Sequence, residues 1–329
     1  MRLAVHVWYI FMNRKQAIVN KISKIREEFD NMDPLMVAVK AIHSVGVKGD
    51  YVSEEDLEHQ RTSQDRFCRL VTPTKDVSYR KFDVDSIEAE WSIPEFPHDK
   101  KHIVMYCHGG GYTCGNLNYA RILSGKISLN CGVEVISFAY RLSPENPYPA
   151  AIEDALSIWN YLMHLGYGAT DIIVAGDSAG GNLALELCLR LKDEGRMLPG
   201  GLILFSPWTD MTMSGKSYTV WKDKDPMLTP EYILAVRGAY AGAEADFENP
   251  VYSPLFGDLS ELPPTLIQVG SNEILRDDSE LLADKLQKEG IFVRTEVYEG
   301  GWHVFQMLPL GISLRAMNSV AEFVDLLIR

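Results

Sequence analysis

The chain has 329 residues, of which 46% are hydrophobic, and a formal net charge of −13. That length and apolar content suit one large α/β domain carrying a smaller subdomain rather than two independent halves. The negative charge argues against nucleic acid and anionic membrane surfaces as partners.

The N-terminal stretch 3–12 is apolar but far shorter than a membrane span. Arg2 is a weak positive start, and Asn13, Arg14 and Lys15 stand where an export signal carries small residues. The reading is therefore cytoplasmic retention, with an export signal or membrane anchor as the alternative. Ile18, Ile22, Ile25 and Phe29 recur at helical spacing, so residues 1–60 are expected to form a helical cap over the site described next, and 61–329 the main domain. Alternation at Ile87, Ala89 and Trp91 within 78–93 predicts the antiparallel start of a sheet. Residues 102–107 read as a buried strand ending in His108-Gly109-Gly110-Gly111-Tyr112. Arg141, Glu145 and Asp154 are expected to form a supporting ion-pair cluster.

Residues 171–175 form a β-branched apolar run, and 181–189 a helix-like one. Between them stands Gly176-Asp177-Ser178-Ala179-Gly180. A G-x-S-x-G between strand and helix is a nucleophile elbow: the glycines let backbones pass closely, and the strained turn lifts the serine hydroxyl off the sheet. Serine needs a base, and the base an orienting acid. In enzymes using this elbow the order is Ser, acid, His. Of eight histidines only His303 follows Ser178, in a loop after the strand-like 291–298. The acid should follow the strand 264–270, where Glu273, Asp277 and Asp278 are candidates. Glu273 comes first and is preferred, with Asp277 the alternative; the two aspartates fit a helix start, where they would accept backbone N–H bonds. The amides of the triple-glycine run, with that of Ala179, can face a developing oxyanion. That run lacks the Lys-Ser/Thr ending of a phosphate loop and the spacing of a dinucleotide fingerprint.

A second cap segment is expected over 209–250, with a helix opening near Pro230 and Glu231. Tyr112, Trp208 and Met211 are candidate pocket residues, joined by Tyr218 and Trp221; for Trp208, Met211, Tyr218 and Trp221 core packing is the equal alternative. Five cysteines, Cys68, Cys107, Cys114, Cys131 and Cys188, form no C-x-x-C pair and no even framework, which reads as reduced thiols. No zinc-type cluster or calcium loop is evident, so neither metal nor cofactor is expected.

These stretches, with Tyr140-Arg141-Leu142-Ser143-Pro144-Glu145, Pro147-Tyr148-Pro149-Ala150-Ala151 and Trp302-His303, resemble the hormone-sensitive-lipase family of α/β-hydrolases, the HGGG-type bacterial esterases, over roughly residues 80–329. The resemblance implies an α/β-hydrolase fold: a mostly parallel central sheet flanked by helices, under a helical cap. It implies a serine carboxylesterase with Ser178, Glu273 and His303 as the triad, Gly110, Gly111 and Ala179 as the oxyanion hole, and His108 as a structural support. The partner it implies is a small acyl ester with a short chain, acetyl among the candidates, and a homodimer is compatible with it. One departure stands out: the family most often has Asp where Glu273 stands. A small-molecule receptor or an amide-directed deacylase on the same fold is the competing reading.

Overall fold

The computed structural model describes residues 52–71 and 73–328, all within the second of the two units, Met1–His43 and Ser44–Arg329, into which the chain divides. The apolar N-terminal stretch and most of the expected first cap thus lie outside the described residues. The boundary expected at residue 60 falls inside a continuous helix, α1 (Glu54–Leu70), which Ser53 opens with a capping box to Asp56.

The sheet begins with β1 (Val77–Val84) and β2 (Ile87–Pro94), joined by Asp85 and Ser86 at φ 49° and 71°. Two consecutive left-handed residues match the twist of a two-residue hairpin. Ile87, Ala89 and Trp91 are buried as expected, but so are Glu90 and Ser92 on the other face. The clean alternation fails because α2 (Leu117–Cys131) covers that face: its Arg121 pairs with Glu90 and its Ser124 bonds Ser92 at 2.9 Å.

β3 (Asp99–Cys107), β4 (Val133–Phe138), β5 (Ile172–Asp177), β6 (Gly201–Phe205), β7 (Thr265–Gly270) and β8 (Val293–Tyr298) complete an eight-stranded sheet of order β1-β2-β4-β3-β5-β6-β7-β8. Only the β1–β2 and β2–β4 pairs are antiparallel. β5, β6 and β7 are buried along their whole length, which explains their continuous apolar runs: a parallel sheet covered on both faces needs no polar alternation. The crossovers from β3 to β6 are α2, α3 (Ala150–His164) and α4 (Ala179–Asp193), followed by a long excursion from β6 to β7 that holds α5 (Ser217–Val220) and α6 (Pro230–Ala241). Thr229 caps α6 through its hydroxyl, with Pro230 in the first turn, as the sequence predicts. α7 (Arg276–Lys288) and α8 (Gly311–Ile328) close the domain.

The strand order positions the site. The chain runs outward from β3 to β4 and then returns to lay β5 on the opposite side of β3. Cys107 is thereby in register with Gly176, and Asp177 with Phe205. The loops leaving the carboxyl ends of β3, β5 and β6 emerge side by side at the switch point, where open α/β sheets bind ligands. Gly270 pairs with Tyr298, so the loops after β7 and β8 open on the same edge.

Candidate active site

Ser178 is the hinge between β5 and α4, and its φ of 54° and ψ of −121° are left-handed. A non-glycine residue holds such a conformation only where the surroundings over-determine it. They do so by proximity. A Cβ on Gly180 would come within 2.1 Å of the Cys107 carbonyl oxygen, and one on Gly176 within 2.2 Å of the Gly180 oxygen. The turn is stitched to the neighbouring strand: the Ser178 N–H donates to Phe205 at 2.9 Å, and Trp208 N–H donates to the Ser178 carbonyl at 3.1 Å.

The glycine loop after β3 is fastened to that turn by Asp177. Its fully buried carboxylate accepts the Gly109 N–H at 2.8 Å, the Tyr119 hydroxyl at 2.9 Å and the Tyr106 hydroxyl. Burial pushes this carboxyl up to about 6, against the pull of its three donors. His108 is also fully buried, its ring stacked on Tyr140 at 4.2 Å and its Nδ1 2.8 Å from the Gly109 oxygen. Burial lowers its pKa to about 4, so it stands neutral at pH 7, as a support for the loop should. Gly110 takes φ 116°, open only to glycine in practice, and its carbonyl accepts N–H bonds from Thr113 and Cys114.

Glu273 and His303 lie in the loops after β7 and β8. Both are buried, and His303 Nδ1 stands 3.7 Å from Glu273 Oε2. Desolvation, with Asp225 adding to it, holds the Glu273 carboxyl well above its ordinary value; the Ser206 hydroxyl, donating to Oε2 at 2.9 Å, pulls the other way. Asp277 and Asp278 do sit in the first turn of α7, but not as caps for it. Asp277 accepts the Ser217 N–H at 3.1 Å, and Asp278 those of Thr209 and Asp210 at 2.9 and 3.0 Å. They bind the β6–β7 excursion to α7. The expectation of helix capping is therefore corrected: the backbone donors they accept belong to another segment.

Residues 104–307 match the family model described as alpha/beta hydrolase fold. An esterase of Acinetobacter venetianus is 36% identical over 261 residues, covering 79% of this chain and 86% of the relative. The chain belongs to the α/β-hydrolase family. An acetyl-hydrolase of Streptomyces hygroscopicus is 35% identical over 78% of this chain and 86% of its own. A crystal structure of an esterase from the bacterial hormone-sensitive lipase family superposes with a TM-score of 0.82 at 29% identity, over 91% of this chain and 99% of that one. Within the family the chain falls among the hormone-sensitive-lipase esterases, and it is an enzyme of the carboxylesterase class.

Several parts of this hydrolase differ from what its sequence suggests. Arg141 pairs with Asp154 at 2.8 Å and Glu153 at 3.0 Å, but Glu145 does not join them. It pairs with Arg61 of α1 at 2.7 Å, and Arg61 also donates to the carbonyls of Thr113 and Ser143. Gln60 reaches the same loop, donating to the Tyr232 hydroxyl and accepting from Thr113. The candidate pocket residues Tyr112, Trp208 and Met211 belong to the buried core cluster. Tyr112 stacks on Tyr240 at 3.7 Å and donates to Asn182 at 2.7 Å, so its side chain serves packing.

Asp177, Ser206, Asp225 and Lys126 are the site-building residues that sequence reading passes over. Asp225 accepts the N–H groups of Met227, Leu228 and Ile274, which ties the cap to the residue after Glu273. Half-buried Lys126 donates to the carbonyls of Gln306, Met307 and Leu308 and anchors the segment after His303; burial lowers its pKa to about 8. The Asp-Pro pair at 225–226 was a local signal of a turn. For Lys126 no local signal exists. Among the described residues, no group of three His, Cys, Asp or Glu side chains is arranged to hold a metal, and no helix is long and apolar enough to cross a membrane.

Proposed function

We propose that this hydrolase cleaves short-chain acyl esters, acetyl esters among them, through Ser178, Glu273 and His303 and an acyl-enzyme intermediate. The observation that carries the reading is the left-handed Ser178, held at the switch point beside the glycine loop, on the edge where Glu273 and His303 come within 3.7 Å of each other. In this reading His303 takes the Ser178 proton as the hydroxyl attacks the ester carbonyl, and Glu273 orients the imidazole and balances its charge. The oxyanion is received by the amides of Gly110, Gly111 and Ala179. Ala179 is the first residue of α4, so its N–H has no partner within the helix and stands at the positive end of the helix dipole. Protonated His303 releases the alcohol, and a water molecule repeats the sequence on the acyl-enzyme. The Streptomyces acetyl-hydrolase supports the short acyl chain. Buried Cys107, Cys114 and Cys188, all free thiols, support a cytoplasmic enzyme.

The test is a serine-directed phosphonate together with an ester panel from C2 to C12. Wild type should label at Ser178 and prefer the shortest chains. Ser178→Ala should lose labelling and about 10⁶ in turnover, and His303→Ala should fall close to the same floor. A His303 variant that keeps more than about a tenth of wild-type turnover removes it from the triad.

A further inference from the structure

Ser206 ends β6 in a conformation that costs energy. It is fully buried, and its φ of 46° is left-handed, a region that serine occupies only when neighbours hold it there. Its own N–H donates to the Gln268 carbonyl of β7 at 2.8 Å, which fixes the backbone. The turn then aims one hydroxyl at two loops. Oγ donates to Glu273 Oε2 at 2.9 Å and accepts the Val304 N–H at 3.2 Å. Val304 directly follows His303 and is itself left-handed, with φ 48°. The hydroxyl's single proton is thus spent on the acid, and a lone pair on the backbone beside the base.

Other contacts join these loops, but through their stems. Ser271 N–H donates to Tyr298, Asn272 N–H to Gly301, and Gly300 N–H to the Ser271 hydroxyl, each at 2.9 Å. None of the three touches the Glu273 carboxylate. That carboxylate sits on a side chain one rotatable bond longer than aspartate, and its Oε2 is the atom facing His303 at 3.7 Å.

We infer that Ser206 is a positioning residue of the hydrolytic site: its hydroxyl holds the Glu273 carboxylate and the backbone adjoining His303 in one fixed relation. The inference rests on the triad proposed above. Ser206 touches no substrate; it acts through the acid and the base. Asp225 from the β6–β7 excursion and Asp278 from α7 also face Glu273, and with burial they favour its neutral form, whereas Ser206 first and the Gly270 backbone second favour the ionised one. A structural serine would affect stability alone. A positioning serine must also affect where catalysis switches off in acid, because a protonated Glu273 no longer supports the imidazolium.

The experiment is the pH dependence of kcat and KM on an acetyl ester for wild type, Ser206→Ala, Ser206→Gly and Glu273→Gln. Glycine accepts the left-handed turn without strain, so it carries the test should the alanine variant misfold. Both Ser206 variants should lose roughly 10- to 100-fold in kcat, as expected for a hydrogen bond to a charged group, with KM within about twofold. The acid limb of kcat/KM should move upward by roughly one pH unit. If Glu273→Gln is inactive while both Ser206 variants keep the wild-type kcat and acid limb, Ser206 is only a packing residue and the inference is overturned. A loss confined to KM overturns it equally. If Glu273→Gln itself keeps wild-type turnover, the failure lies with the proposed acid, and the positioning role falls with it.

Discussion

On the proposed nucleophile side of the site, between β3 and β5, the parts given a role are backbone: a left-handed Ser178, amides in a glycine loop, and the first N–H of α4. They are held by close approach, with no room for a Cβ at Gly176 or Gly180, and by the three donors that converge on Asp177. On the proposed acid–base side, in the loops after β7 and β8, the parts given a role are side chains. Glu273 and His303 stand 3.7 Å apart, and a third side chain, that of Ser206, grips the same carboxylate oxygen at 2.9 Å. Backbone geometry set by packing tolerates almost no substitution. Side-chain geometry set by hydrogen bonds can absorb one methylene, so in the proposed triad a glutamate can stand where the resemblance leads one to expect aspartate.

If that contrast is right, changes on the acid–base side should cost rate with little loss of fold, and changes on the nucleophile side should cost both. After the loss of the Ser178 hydroxyl or the His303 ring, the largest effect is expected from Glu273→Gln, which keeps the shape but removes the charge: kcat should fall by about 10⁴ through a mis-set imidazole, as in serine proteases. Its neighbour Asp277 gives the control. Asp277→Asn weakens one bond to the Ser217 N–H and should leave kcat within about twofold while lowering stability by about 1 kcal/mol. Initial rates on an acetyl ester and urea melts measure both, and the opposite ranking would transfer the acid to Asp277.

Asp177→Asn probes the other side. The amide keeps one acceptor but turns an NH₂ toward donors from Tyr106, Tyr119 and Gly109. A loss of about 1–3 kcal/mol in stability should accompany a roughly tenfold fall in kcat. Loss of stability with kcat intact would show that Asp177 does not set the glycine loop.

The smallest effect on rate is expected at Glu186, buried on α4, where the Tyr240 hydroxyl donates to Oε2 at 3.3 Å. Burial pushes this carboxyl up to about 8 from an ordinary 4.5. The folded state therefore binds the proton more tightly than the unfolded chain, and the stability this group contributes is present below about pH 4.5 and lost as pH rises to 8. Asp177 and Asp225, both raised to about 6, slope the same way, whereas His108, lowered to about 4, slopes the opposite way. Glu186→Gln should flatten the fall in melting temperature between pH 6 and 8 with kcat unchanged. An identical slope in the variant would mean that Glu186 ionises freely in the native state.

The residues legible in the sequence are those whose chemistry is written in neighbouring positions. Strand, glycine, serine, glycine and helix follow one another within twenty residues of Ser178, and chain order, with a loop after a strand-like stretch, marks His303 as the candidate base. The parallel strands were legible for the same reason, since burial on both faces makes each a continuous apolar run. What the tertiary structure decided is which distant residues meet. Ser206 reaches Val304 across 98 positions, Lys126 reaches Gln306 across 180, and Arg61 takes Glu145 from the cluster expected with Arg141 across 84. A serine, a lysine or an arginine carries no local mark of its partner. The crossing from β3 to β4 and back to β5, and the excursion between β6 and β7, bring these side chains together, and that path is set by the packing of the whole sheet rather than by any short stretch of chain.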